Sequence, residues 1–195
     1  MSCFCLCNLN FLDSFDGKCS SKSVEFASFP SRDASGRVIG ITRRYDDGAK
    51  KTLSGTSNSG VFSPTWLPLG GPVFIVEGAS DVAALITHNF AAIGRPSNVG
   101  GSAIAEAYLN KDAKGRRAIV VGENDQKTAR LNSAGFCTSA CDGCARCYPG
   151  KYGAKFVAKQ IGCEWRMVPS AYKDMRQWAN SDRNFAISVT RWING

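Results

Sequence analysis

A chain of 195 residues with 44% hydrophobic content has room for one domain of ordinary size plus appendages, and enough apolar matter for a real core. Its net charge of +8 fits a polyanionic partner, of which nucleic acid is the commonest. No window approaches a membrane-spanning run, and Met1 to Leu12 lacks the basic start of a signal peptide, so no membrane partner and a cytoplasmic location are expected.

Residues 1 to about 22 hold Cys3, Cys5, Cys7 and Cys19. Alternate residues of an extended chain point to opposite sides, so this spacing suits a closed zinc site poorly and reads as a poorly ordered start. Residues 23 to 70 read as a small β region. Val24 to Phe29 alternates, Arg32 to Arg37 turns, Val38 to Ile41 is a short strand, and Asp47-Gly48 is a hairpin signal. Arg43, Arg44, Lys50 and Lys51 give this region either a basic face or an ordinary solvated hairpin.

The organising stretch is Val73 to Val76 followed by Glu77-Gly78 and the helically spaced run after Asp81. A continuous apolar run reads as a strand buried on both faces, hence a parallel sheet under helices. Glu77 then falls at the C-terminal end of the strand, where open α/β sheets place their ligands. Helix, brief strand (Ala91 to Ile93) and helix (Ser102 to Leu109) follow. Gly94 to Gly101 between them is a Gly-rich loop in which Arg95 and Ser97 are candidates for phosphate contact. No Gly-Lys-Ser/Thr follows, so this is no Walker A loop. His88 is the only histidine and reads as a surface residue, which leaves Ser-His and Cys-His catalysis little support.

A second strand, Ala118 to Val121, ends in Glu123-Asn124-Asp125. If the two strands are parallel, Glu77, Glu123 and Asp125 gather at one sheet edge. Such carboxylates repel one another unless a cation lies between them, and hard oxygen ligands suit Mg²⁺. The plainer alternative is that acids after strands cap helices, as at Asp81. Residues 126 to 149 form a cysteine-rich insertion: Cys137, Cys141, Cys144 and Cys147 span eleven residues and can wrap one ion. Tetrahedral zinc is the simplest occupant, an iron–sulfur cluster the rival, and unligated thiols the alternative. Lys151 to Ile161 is a helix and Glu164 to Val168 a strand. A last helix starts near Tyr172, and Asp174 fits there as a helix N-terminal acid favoured by the macrodipole. Ile187 to Trp192 fits strand or helix, in a C-terminal extension of residues 182 to 195.

Val76-Glu77-Gly78 and Glu123-Asn124-Asp125 resemble the two motifs of the TOPRIM domain, over about residues 71 to 181. That domain is shared by bacterial-type primases, type IA and II topoisomerases and OLD-family nucleases. The family's second motif begins with Asp where this chain has Glu123, and its Gly soon after the motif is here found only beyond the cysteine insertion. The resemblance implies a four-stranded parallel sheet with helices on both faces. It implies Mg²⁺ or Mn²⁺ held by Glu123 and Asp125, with Glu77 as a further ligand or as general base or acid toward a 3′-hydroxyl. Asp174 would join them through the Lys-Asp pair that precedes a helix in TOPRIM primase-helicases. Arg95, Ser97, Lys127 and Lys173 would meet nucleotide or template phosphates. The activity implied is primase-like nucleotidyl transfer on a single-stranded DNA template, with a separate helicase as partner because the chain has no P-loop. An OLD-type nuclease and an inactive nucleic-acid-binding module are the alternatives. The chain lacks room for a topoisomerase's strand-passage domains.

Overall fold

The computed structural model describes residues 26–45, 47–125, 144–145 and 147–195. The chain first builds an antiparallel sheet from β1 (Phe26–Arg32), β2 (Val38–Tyr45) and β3 (Lys50–Thr52). Its first turn is tied by Asp33, whose carboxylate accepts the N–H groups of Ser35 and Arg37, both at 3.0 Å. Strand alternation turns Phe29 toward the main core, and places Phe26, Arg43, Tyr45 and Lys51 on the opposite face. Residues 61 and 62 stitch the small sheet to the larger one. Val61 exchanges backbone hydrogen bonds with Arg32 (2.8 and 2.9 Å), and Phe62 with Gly94 (2.7 Å each).

The remaining elements are β4 (Val73–Glu77), α1 (Ala79–Thr87), β5 (Ala91–Arg95), α2 (Ser102–Asp112), β6 (Ala118–Gly122), α3 (Pro149–Ile161), β7 (Glu164–Met167), α4 (Met175–Ser181) and α5 (Phe185–Asn194). The four strands lie parallel in the order β5-β4-β6-β7. This is the expected α/β class, with helices on both faces. Strand β4 up to Val76 and all of β6 are apolar because both their faces are covered. Phe74, Val76, Ile119 and Val121 meet α1, α4 and α5 on one face, while Val73, Ile75 and Val120 meet α2 and α3 on the other.

Two expectations change and one open reading is settled. Strand β5 runs on through Gly94 to Arg95, because the bridge to Phe62 and the pairing Glu77↔Arg95 extend the ladder into what reads as loop. Residues 187–192 are helical, and α5 buries Phe185, Val189 and Ile193 in the main core, so this segment completes the fold. His88 is half-buried, its ring 4.8 Å from that of Phe185. Among the described residues no helix is long and apolar enough to cross a membrane. The segment 1–22, and Lys127, Cys137 and Cys141, lie outside the described residues.

Candidate functional site

The site is built by two strand ends and two turns. Strand β4 delivers Glu77, and Gly78 turns the chain at once into α1 with φ 91°, a value open to glycine and costly to residues with a Cβ. The Gly78 N–H donates to the Arg95 carbonyl at 3.1 Å, so the turn stays locked to the neighbouring strand. Strand β6 is in parallel register with β4, which puts Glu123 and Asp125 just beyond the same sheet edge.

Asn124, between the two acids, was not singled out by sequence reasoning, yet it gathers the far side of the site. Its side-chain amide donates to the carbonyls of Val168, Pro169 and Tyr172 (3.1, 3.2 and 2.8 Å). Its backbone N–H donates to the Lys173 carbonyl at 2.8 Å. These bonds hold the β7–α4 connection against the acidic motif and so carry Lys173 and Asp174 to the site. An amide fits there because only a donor can meet several carbonyls at once.

Asp81 departs from its expected role. Helix α1 is capped at Gly78 without a side-chain bond, and Asp81 lies in its first turn, 3% exposed. Its Oδ1 accepts the N–H of Arg176 at 2.9 Å, in the first turn of α4. Asp174 caps α4 from its own chain, accepting the Gln177 N–H at 2.7 Å. Two carboxylates thus serve one helix N-terminus, where the macrodipole favours negative charge. Asp174 also faces the Arg176 guanidinium at 3.5 Å. Asp125 reaches the first turn of α3 from 25 residues away, its Oδ1 accepting the Gly150 N–H at 2.8 Å. A Cβ on Gly150 would lie 2.6 Å from that oxygen and 2.9 Å from the Glu123 nitrogen. The glycine needed beside the acidic motif therefore comes after the insertion, and the fold brings it back.

Electrostatically the acids act as one group. Burial pushes the Glu123 carboxyl up to about 8, with the charges of Asp81, Glu77 and Asp174 adding to the effect and Lys173 opposing it. Burial likewise raises Asp81 to about 7, helped by Asp174 and opposed by the Arg176 N–H. Glu77 is raised by burial against the pull of Arg95, with Asp125 adding repulsion and Lys50 and Lys173 relief. Lys50, on β3, is a second contributor that sequence reasoning did not place. A cluster that resists losing its protons fits a divalent cation, and its all-oxygen donor set suits Mg²⁺. Among the described residues no three such side chains converge tightly enough to form a ready ligand set, so the acids share a field rather than one coordination sphere.

Arg95 is at the edge of this field but not on the surface. It is 0% exposed, and its Nη1 donates to the carbonyls of Ser97 (3.5 Å) and Asn98. Among the described residues its Nε and Nη2 have no hydrogen-bond partner. Burial lowers its pKa, while Glu77 and Glu123 favour its charged form. Ser97 is exposed, and its hydroxyl accepts the Gly100 N–H at 3.1 Å, shaping the turn into α2. Lys173 is exposed beside the acids. Cys144 and Cys147 lie in a tight turn, with the Cys147 N–H donating to the Cys144 Sγ at 3.4 Å.

The fold, a four-stranded parallel sheet with a small antiparallel sheet ahead of it, is similar to that of solved primase catalytic domains. The primase fragment of the bacteriophage T7 primase-helicase aligns with TM-score 0.55 and 15% identity over 88% of this chain and 64% of that one. The Aquifex aeolicus primase, with its zinc-binding and RNA polymerase domains, aligns with TM-score 0.57 and 15% identity over 91% and 43%. The DnaG primase catalytic domain, solved bound to ssDNA, gives 0.52 and 17% over 87% and 51%. The chain thus spans less than two thirds of each. No protein-family model and no curated protein matches the sequence.

Proposed function

We propose that this protein is a divalent-metal-dependent, nucleic-acid-processing enzyme that performs primase-like nucleotidyl transfer. The observation that carries the reading is the set of mutually repelling carboxylates, Glu77, Glu123, Asp125 and Asp174, at the strand ends of a primase-type fold. To hold the ion, Glu123, Asp125 and Asp174 would have to converge from their present positions, with Glu77 reaching it or the reacting hydroxyl. Bound there, Mg²⁺ or Mn²⁺ would neutralise the acids and polarise the phosphate under attack. The 3′-hydroxyl oxygen would bond to the α-phosphorus of an incoming nucleotide, the bond to the departing pyrophosphate would break, and the Glu77 carboxylate would take the hydroxyl proton. Its raised pKa makes Glu77 a better base than an exposed glutamate. Lys173, Ser97 and Lys127 would meet template or nucleotide phosphates. Arg95, being buried, would act first by bracing the 97–98 backbone and balancing Glu77. A separate helicase would supply unwound template.

The insertion would hold zinc through Cys137, Cys141, Cys144 and Cys147. The N–H···S bond at Cys144 supports this, since such a turn offers a thiolate a donor. A second reading, a binding module without turnover, is favoured by one observation: the Asp125 carboxylate is already engaged by Gly150. The two readings part in one assay. On a single-stranded template with labelled NTPs and Mg²⁺, the enzyme should make short oligonucleotides, and Glu77→Gln should reduce this at least about 100-fold, the scale of lost acid–base catalysis. Strand binding without any synthesis or cleavage would favour the module, and cleavage without NTPs a nuclease.

A further inference from the structure

Helix α3 has an outward face that the acidic site does not use. Gly153, Ala154, Val157 and Ala158 are buried on its inner side. Helical periodicity leaves Tyr152, Lys155, Phe156 and Lys159 in solvent. Tyr152 and Phe156 are each 38% exposed and stack on one another, with ring centroids 6.1 Å apart and planes at 15°. Lys155 holds its ammonium 5.1 Å above the ring of Trp165, on the edge strand β7. No residue of α3 is acidic, and Glu164, at the start of β7, is engaged by Arg117 and Arg166. The helix starts where Asp125 holds Gly150 and runs for about 20 Å, so this face leads away from the strand-end acids.

We propose that this face of α3 is a track for single-stranded nucleic acid entering or leaving the acidic site. The inference rests on the nucleic-acid reading above and names where the strand lies. Exposed rings beside lysines match an unpaired strand twice: the bases stack on Tyr152 and Phe156, and the phosphates meet Lys155 and Lys159. A duplex would use the lysines but hide its base faces from the rings. The occupant is therefore single-stranded rather than duplex.

The test is fluorescence anisotropy of a labelled oligo-dT strand and of a hairpin duplex, with the full chain in chelator so that nothing turns over. Tyr152→Ala/Phe156→Ala should weaken strand binding about 10-fold or more and spare the duplex. Lys155→Gln/Lys159→Gln should lower the salt slope for the strand by about 1.4. Tyr152→Phe/Phe156→Tyr should bind as the parent does. Removing the ring stack and the Lys155–Trp165 contact should lower the melting temperature only slightly, so thermal melting of each variant separates lost binding from lost fold. Strand binding unchanged in both the alanine and glutamine pairs would overturn the track. So would equal loss of duplex binding in the alanine pair, or preferential capture of an acidic peptide by the parent. If the parent binds no strand, the nucleic-acid reading falls as well. If it binds and only the α3 variants are indifferent, the track alone falls.

Discussion

At Asp81 the carboxyl group faces two demands. Its Oδ1 accepts an amide proton from α4, which favours the charged form, while burial and the neighbouring Asp174 favour the neutral one, and the second demand wins. Glu123 is pushed the same way, chiefly by burial. Both acids have pKa values raised above their unfolded ones, so the native state binds more protons than the unfolded chain between about pH 4 and 8. Stability from these groups is then fully present below about pH 4 and lost as pH rises through about 7 to 8. In chelator, urea melts should give a lower midpoint at pH 8 than at pH 6. Glu123→Gln should flatten that difference, and added Mg²⁺ should restore the pH 8 midpoint. A midpoint that rises with pH would contradict this assignment. Asn124→Asp should cost about 3 kcal/mol, because three carbonyls would lose their donor and face a charge instead. Chemical denaturation reads that loss directly.

Among the elements, the junction of β6 with α3 is the least tolerant of change. Gly150 passes the Glu123 backbone and the Asp125 carboxylate so closely that Gly150→Ala must move α3 or the acidic motif. The expected cost is about 2 kcal/mol or more, with loss of divalent binding even though no ligand has changed. A variant of parent-like stability and affinity would show that the close approach is not needed. Helix α5 is coupled differently, chiefly through packing, with Arg117 and Arg166 donating to the carbonyls of Ile193 and Trp192 near its end. Phe185 is 0% exposed and meets Trp178 edge-on at 5.3 Å, so Phe185→Ala should cost about 3 to 5 kcal/mol by thermal melting. The strand and helix pattern of this core was legible because β4 and β6 are apolar on both faces and α1 and α3 keep helical spacing. The part that was not legible depends on long-range partners. Arg95 reads as loop after Gly94, yet its pairing with Glu77 makes it strand and buries it. Asp81 reads as a cap of its own helix, yet its partner is 95 residues away.

Across the whole molecule, the small antiparallel sheet and the parallel sheet are joined through Val61 and Phe62, and charges from both parts act on the acids. Lys50 from the first and Lys173 from the second both oppose the raised pKa of Glu77. The motifs Glu77-Gly78 and Glu123-Asn124-Asp125 were visible in sequence because each follows a buried strand. The contributions of Asn124 and Lys50 were not, since an amide and a hairpin lysine carry no pattern of their own. The same division applies to the positive charge. Arg116 donates to the carbonyls of Pro68, Gly70 and Gly71, and Arg117 pairs with Glu164, so part of the excess cation is structural. Lys50 and Lys51 on β3, and Lys155 and Lys159 on α3, are exposed. The central claim is that the strand-end acids take a divalent cation, and calorimetric titration of Mg²⁺ and Mn²⁺ into the parent and into Glu77→Ala/Asp125→Ala tests it most directly. The account expects saturable binding by the parent that strengthens from pH 6 to 8, as protons are displaced, and is lost in the double variant. No binding by the parent, with or without single-stranded DNA, or binding that survives in the double variant, would contradict it.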